Sequence, residues 1–306
     1  MRLRDRIISY LPIEQTLKLL NKIVLPGFGG IPLGEIVRFY VLGLQKSSLT
    51  TRSAAVSFRF FMALFPGLIF LITLIPYIPI ADFPYKLMLG IQEILPQEVF
   101  PLFEKTIIDA LHNRKTGLLS LGFLAAVFFA TNGMNALMQA FNDSAYVTET
   151  RTMFRHRLVA FVLTLFAVLV FVSGIFFLVY SNRMLAGWLR TEQISHLLFS
   201  ILSFMQWVVL AIVIYFYVAT IFYFAPSRSM RWTYFSVGAL VSTLFSMLFS
   251  YLTSVYMNNF SNYNQIFGLL GSFPIILIWM YLNSISLLIG FELNVSIRHA
   301  GFKKIK

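Results

Sequence analysis

Four side-chain amides, Asn132, Asn135, Gln139 and Asn142, stand 3, 4 and 3 residues apart at the end of an apolar stretch, with Asp143 beside the last. On a helix turning about 100° per residue they keep to one face roughly 80° wide. An amide both donates and accepts hydrogen bonds. Such a stripe can therefore bond neighbouring helices to one another, or it can wall an inward-open polar cavity, because polar groups in a membrane span face protein or water. Both uses turn the stripe inward. Only the second needs a ligand.

The segment "GLLGSFPIILIWMYLNSISLLIGFELN" carries a second set: Asn283, Gly290 and Asn294 at i, i+7 and i+11, with Ser286 nearby and the acid Glu292. Small residues there let another helix approach closely. The candidate wall of a substrate path is thus Asn132, Asn135, Gln139, Asn142, Asn283, Glu292 and Asn294. Arg59 lies inside the first apolar stretch. It can snorkel to the head groups, pair with Glu292, or grip a lipid phosphate with its planar fork.

Other chemistries lack their residues. The chain has no cysteine, which excludes disulfides, thiolate catalysis and cysteine-based metal centres. His112, His156, His196 and His299 are scattered and form no HExxH pair, and no GxSxG elbow, P-loop or GxGxxG is present. The twelve acids lie mostly in loops, without a close set for a two-metal site. This points away from an enzyme, and neither a metal nor a cofactor is expected.

The elements that position these residues are set by apolar length. Of 306 residues 58% are hydrophobic and 12% charged, about half the charged share of a soluble domain. A spanning helix needs roughly 20 mostly apolar residues, and six segments supply them: Ala54–Ile75, Leu118–Leu137, Leu158–Tyr180, Leu198–Phe224, Trp232–Tyr256 and Phe267–Ile289. The fold expected is all-α, a polytopic bundle of six transmembrane helices. Six spans place both termini on one side, and the segments on that side hold 17 Lys and Arg against 6 on the other. The positive-inside rule makes both termini cytoplasmic. The net charge of +12 is then a topology signal and an attraction to anionic lipid heads, with no nucleic acid expected as partner. Residues 1–53 read as interfacial amphipathic helices, around Ile13–Val24 and in "GEIVRFYVLGLQKSS". The external loop 80–117 reads as two more, with Leu87, Ile91, Ile94 and Leu95 and then Phe103, Ile107 and Leu111 on their apolar faces. Residues 54–292 form the membrane domain and 293–306 a basic tail. Pro66, Pro76 and Pro274 mark kinks or breaks.

Several stretches resemble one family. "AAVSFRFFMALFPG", "NGMNALMQAFNDSAY", "APSRSMRWTYFSVGAL" and "YNQIFGLLG…IWMYLNSISLLIGFELN" are similar, in that order and spacing, to motifs of the YihY/BrkB family, once labelled ribonuclease BN. The match covers about Ser53 to Asn294. It departs at Phe58-Arg59, where the family tends to have two aromatics, and at Ala63, where it often has Ser. The resemblance implies a six-span bacterial inner-membrane protein involved with the envelope and lipid transport. The functions to weigh are a transporter or flippase-like handler of lipids or other amphiphiles, a non-transporting scaffold, and, last, a membrane-embedded hydrolase or nuclease. Membrane lipids are the expected partners.

The topology is directly testable. A reporter fused after Lys306 should be active only in the cytoplasm and one inserted near Pro96 only outside, and swapped signals would reject the six-span arrangement.

Overall fold

A computed structural model describes residues 30, 32–46, 48–74, 108, 116–144, 147, 150–191, 195–227, 233–259 and 269–305. Seven helices account for the regular structure among them: α1 (Leu33–Lys46), α2 (Leu49–Leu74), α3 (Thr116–Asn142), α4 (Met153–Arg190), α5 (His196–Phe224), α6 (Val237–Asn259) and α7 (Leu269–Ile305). Six of them, α2 to α7, are long and apolar enough to cross a membrane, as a lipid solvent demands when every backbone group must be satisfied internally. Several begin earlier or end later than apolar composition suggests, and in two of them the extension takes in polar residues that matter for the site. Helix α2 starts at Leu49, which draws Arg52 and Ser53 into the helix, and α7 runs on to Ile305, which makes Glu292, Asn294 and the basic tail helical. Pro66 and Pro274 lie within continuous helices. The expected helices at Ile13–Val24 and in the loop 80–117, and Pro76, lie outside the described residues.

The chain divides into two compact units. One comprises Ala54–Leu137 and Leu248–Ser284. Here a Cβ on Gly133 would come within 2.7 Å of the Phe60 ring, so α2 and α3 cross with no room for a side chain. Phe61 meets Phe65 and Phe273 edge-on, at 5.4 and 6.2 Å between ring centres. Trp279 Nε1 donates to Ser250 Oγ at 3.0 Å.

The other unit comprises Met1–Ser53, Met138–Met247 and Ile285–Lys306. Helix α1, the second of the expected amphipathic segments, packs part of its apolar face on α7: Ile36 and Ala300 are buried together, with Phe39, Leu293 and Ile297 packed around them. Helices α4 and α5 run antiparallel, joined by Gln206 Nε2 donating to Asn182 Oδ1 at 3.1 Å and by Phe166 stacked on Tyr217.

The tightest crossing in this unit is α6 on α7. Ser242 Oγ donates to Ser286 O at 3.0 Å and Ser286 Oγ returns the bond to Ser242 O at 2.8 Å, while Ser246 Oγ reaches Ser286 Oγ at 3.2 Å. A Cβ on Gly238 would stand 2.0 Å from Gly290 O, and one on Gly290 2.0 Å from Ser242 Oγ. In lipid, where apolar surface gives helices little reason to associate, backbone proximity and such bonds hold them. Gly290→Ala should therefore cost about 1–3 kcal/mol by overpacking. Gly174→Ala, where an added Cβ meets nothing within 4 Å, should be neutral or gain up to about 1 kcal/mol of helix propensity. Thermal unfolding of the two purified variants in one detergent checks the opposite signs.

Candidate functional site

The chemistry with the highest local stakes is a buried ion pair. Glu292, on α7, is 1% exposed, and its Oε1 accepts from Arg52 Nη2 at 2.6 Å. Its Oε2 accepts from Ser144 Oγ, just past α3, at 2.8 Å. Arg52 Nη1 also donates to Ala140 O at 2.6 Å. Helix spacing explains how α2 presents the arginine: Arg52, Ser53, Val56 and Ser57, at i, i+1, i+4 and i+5, are all buried. Beside the pair lies a buried aromatic cluster. Phe141 stacks on Phe291 at 4.2 Å and meets Phe222 edge-on at 5.5 Å, and all three rings are fully buried. In such surroundings an unpaired charge is very costly, and the two charges must meet. Tyr40, on α1, feels the same field: its phenol is pushed up to about 12, chiefly by burial and then by the negative charge of Glu292.

The arginine on Glu292 is Arg52, which the sequence analysis did not single out. Arg59, two turns further along α2, is exposed. A signal for Arg52 existed in the helical spacing of Arg52, Ser53, Val56 and Ser57. It was hidden because an apolar window places the start of the span after Ser53.

The amides separate into two groups. Asn142 is buried and its Oδ1 accepts from the Ser227 backbone N–H at 3.0 Å. Asn294 Oδ1 accepts from Gly238 N–H at 2.8 Å, and its Nδ2 donates to Ser236 Oγ at 2.8 Å. Asn294 thereby satisfies an N–H in the first turn of α6 from another helix, the task of a helix cap. Asn283 Nδ2 donates to Trp279 O, one turn back on its own helix. Asn132 and Asn135, in contrast, are half-buried, and Gln139 is exposed.

A family model described as Virulence factor BrkB matches residues 41–306. The chain belongs to this family. The putative ribonuclease-like protein YfkH of Bacillus subtilis (strain 168) is 30% identical over 265 residues, covering 86% of this chain and 93% of that one. A UPF0761 membrane protein of Idiomarina loihiensis is 32% identical over 95 residues, 31% of this chain and 34% of its own length. Another, of Stenotrophomonas maltophilia (strain K279a), is 27% identical over 180 residues, covering 58% and 41%. No solved structure matches. For this BrkB-family chain the expected fold class, a six-span all-α membrane protein, agrees with the helices found.

The ion pair predicts a strong thermodynamic coupling. Arg52→Gln and Glu292→Gln should each cost about 3–5 kcal/mol, because each leaves a buried charge behind, and the double variant should lose much less than the sum. Unfolding of the three variants measures this. The same cycle on Arg59 and Glu292 should show the smaller coupling; the reverse order would mean Arg52 is not the partner that matters.

Proposed function

We propose that this BrkB-family protein is a transporter or flippase-like handler of lipids or other amphiphilic envelope molecules, in the bacterial inner membrane with both termini cytoplasmic. The observation that carries this reading is the Arg52–Glu292 pair, since both residues fall inside membrane-length helices. Ionisable groups buried within membrane-length helices are expensive, and they concentrate on pathways and switching contacts. A buried pair is a poor stabiliser when apolar residues of equal volume could replace it. Its value lies in bringing α2, α3 and α7 to one arrangement that can be broken and remade. Ser53, next to Arg52, adds a fully buried hydroxyl that finds no hydrogen-bond partner among the described residues.

The polar wall in this reading is the α3 stripe, reduced to Asn132, Asn135 and Gln139, whose side chains are not fully buried. Arg59, exposed on α2, is a contact for lipid phosphate.

A non-transporting scaffold is the second reading, and Asn142 and Asn294 favour it, each being engaged on a backbone N–H. The ribonuclease-like name belongs to YfkH. In this chain the acid that is buried among the described residues, Glu292, has both oxygens bound by Arg52 and Ser144, which leaves it poorly placed to act on a phosphodiester.

Cysteine accessibility separates the first two readings in this cysteine-free chain. Asn132→Cys and Asn135→Cys should react with a small membrane-impermeant thiol reagent added from the cytoplasmic side. Phe128→Cys, replacing a lipid-exposed ring, and Leu137→Cys, at a packed position, should both stay inert. Apolar surroundings keep a thiol protonated and unreactive. If positions 132 and 135 are as silent as these two, the stripe is interhelical glue.

A further inference from the structure

Between α4 and α5 lies an apolar groove of about 470 Å³, lined by Leu158, Val159, Val162, Phe166, Thr220 and Phe224 among others. It opens towards the lipid, for Leu158, Val162 and Phe224 are each about half exposed. Among the described residues its one polar lining group is already engaged: Thr220 Oγ1 is hydrogen-bonded to Phe216 O and to the Tyr234 hydroxyl. The described residues therefore offer an occupant no free polar contact along the groove's length.

At its end stands a cation. Arg155 precedes Val159, Val162 and Phe166 by 4, 7 and 11 residues on α4, which puts it on the groove's own face, and a helical side chain leans towards the helix N-terminus, away from the groove and towards the membrane edge. Arg155 is exposed. Its neighbour Arg151 is held elsewhere, donating to Phe224 O at 3.0 Å, to Ala225 O at 2.9 Å and to Pro226 O. That contact ties the start of α4 to the last carbonyls of α5, and among the described residues it leaves Arg155 as a charge on the groove's face at its mouth. Arg157, two residues on, faces the opposite side of the helix.

We propose that this groove binds one acyl chain of an anionic phospholipid, whose phosphate is held by Arg155. An apolar slot closed by a guanidinium at the interface matches a chain joined to a phosphate, and the planar fork of arginine suits phosphate oxygens. The site lies on α4 and α5 and needs no transport step, so its failure would leave the α3 path untouched, and the reverse holds too.

The test uses the full chain purified in an uncharged detergent, titrated with phosphatidylglycerol or phosphatidylcholine and read by native mass spectrometry. Phosphatidylglycerol should be retained roughly fivefold better, the order of effect of one basic residue near an anionic head group. Arg155→Gln should abolish that preference and Arg157→Gln, the same charge loss on the opposite face, should keep it. Val162→Trp, filling the groove at a lipid-exposed position, should weaken both lipids. Equal retention by the unaltered chain, a preference that survives Arg155→Gln, or undiminished binding to Val162→Trp would each overturn the proposal.

Discussion

A carboxylate inside a membrane-length helix has to be neutralised where it stands. Glu292 is 1% exposed, and moving such a charge away from water costs several kcal/mol that only a close counter-charge and further hydrogen bonds can offset. Arg52 supplies the counter-charge and Ser144 the second bond. Because Arg52 also holds Ala140 O, one guanidinium fixes the start of α2, the end of α3 and the later part of α7 together. Much of the unit's geometry follows from that. The stacked rings of Phe141 and Phe291 flank the polar contacts on α3 and α7, and α1 lies near enough for Glu292 to act on Tyr40.

The α6–α7 crossing meets the same solvent problem without charge. Gly238 and Gly290 bring two backbones close enough for Ser242 and Ser286 to exchange hydroxyl-to-carbonyl bonds. Asn294 completes the crossing by serving the first turn of α6 from outside. The two devices differ in what they allow. A seam of glycine and serine cannot loosen without losing close packing and leaving two hydroxyls and the Gly238 N–H without these partners, so it suits a permanent contact. An ion pair can exchange partners with water, head groups or a substrate, so it suits a contact that opens.

The parts of this architecture visible in the sequence are those governed by composition over about twenty residues. Six apolar runs gave six helices, and the small residues Ser286 and Gly290 marked a face for close approach. Where a single residue decided the structure, composition was silent. Arg52 fell outside its span because an apolar window begins after it, although the buried positions 52, 53, 56 and 57 share a helical face. The amphipathic pattern of α1 announced an apolar face but not its neighbour on α7; Ala300, some 260 residues away, is what covers Ile36. The amides Asn142 and Asn294 matched the expected spacing, but their partners, Ser227 N–H and Gly238 N–H, belong to segments whose approach only the folded chain reveals.

Those partners suggest why polar residues gather where they do. A backbone N–H in the first turn of a helix has no partner within the helix, and one in the loop beyond a helix end, like that of Ser227, needs a partner from elsewhere. Asn142 and Asn294 meet that need for Ser227 and Gly238, and Arg151 meets the complementary need of the carbonyls that end α5. These side chains are accounted for by the backbone. Asn132 and Asn135 are not: they lie within α3, ten and seven residues before its end at Asn142, where the helix satisfies its own backbone. The same reasoning sets Arg155 apart from Arg151. A polar side chain that no helix end requires is the place to test for an external partner, and Asn132, Asn135 and, at the interface, Arg155 answer that description.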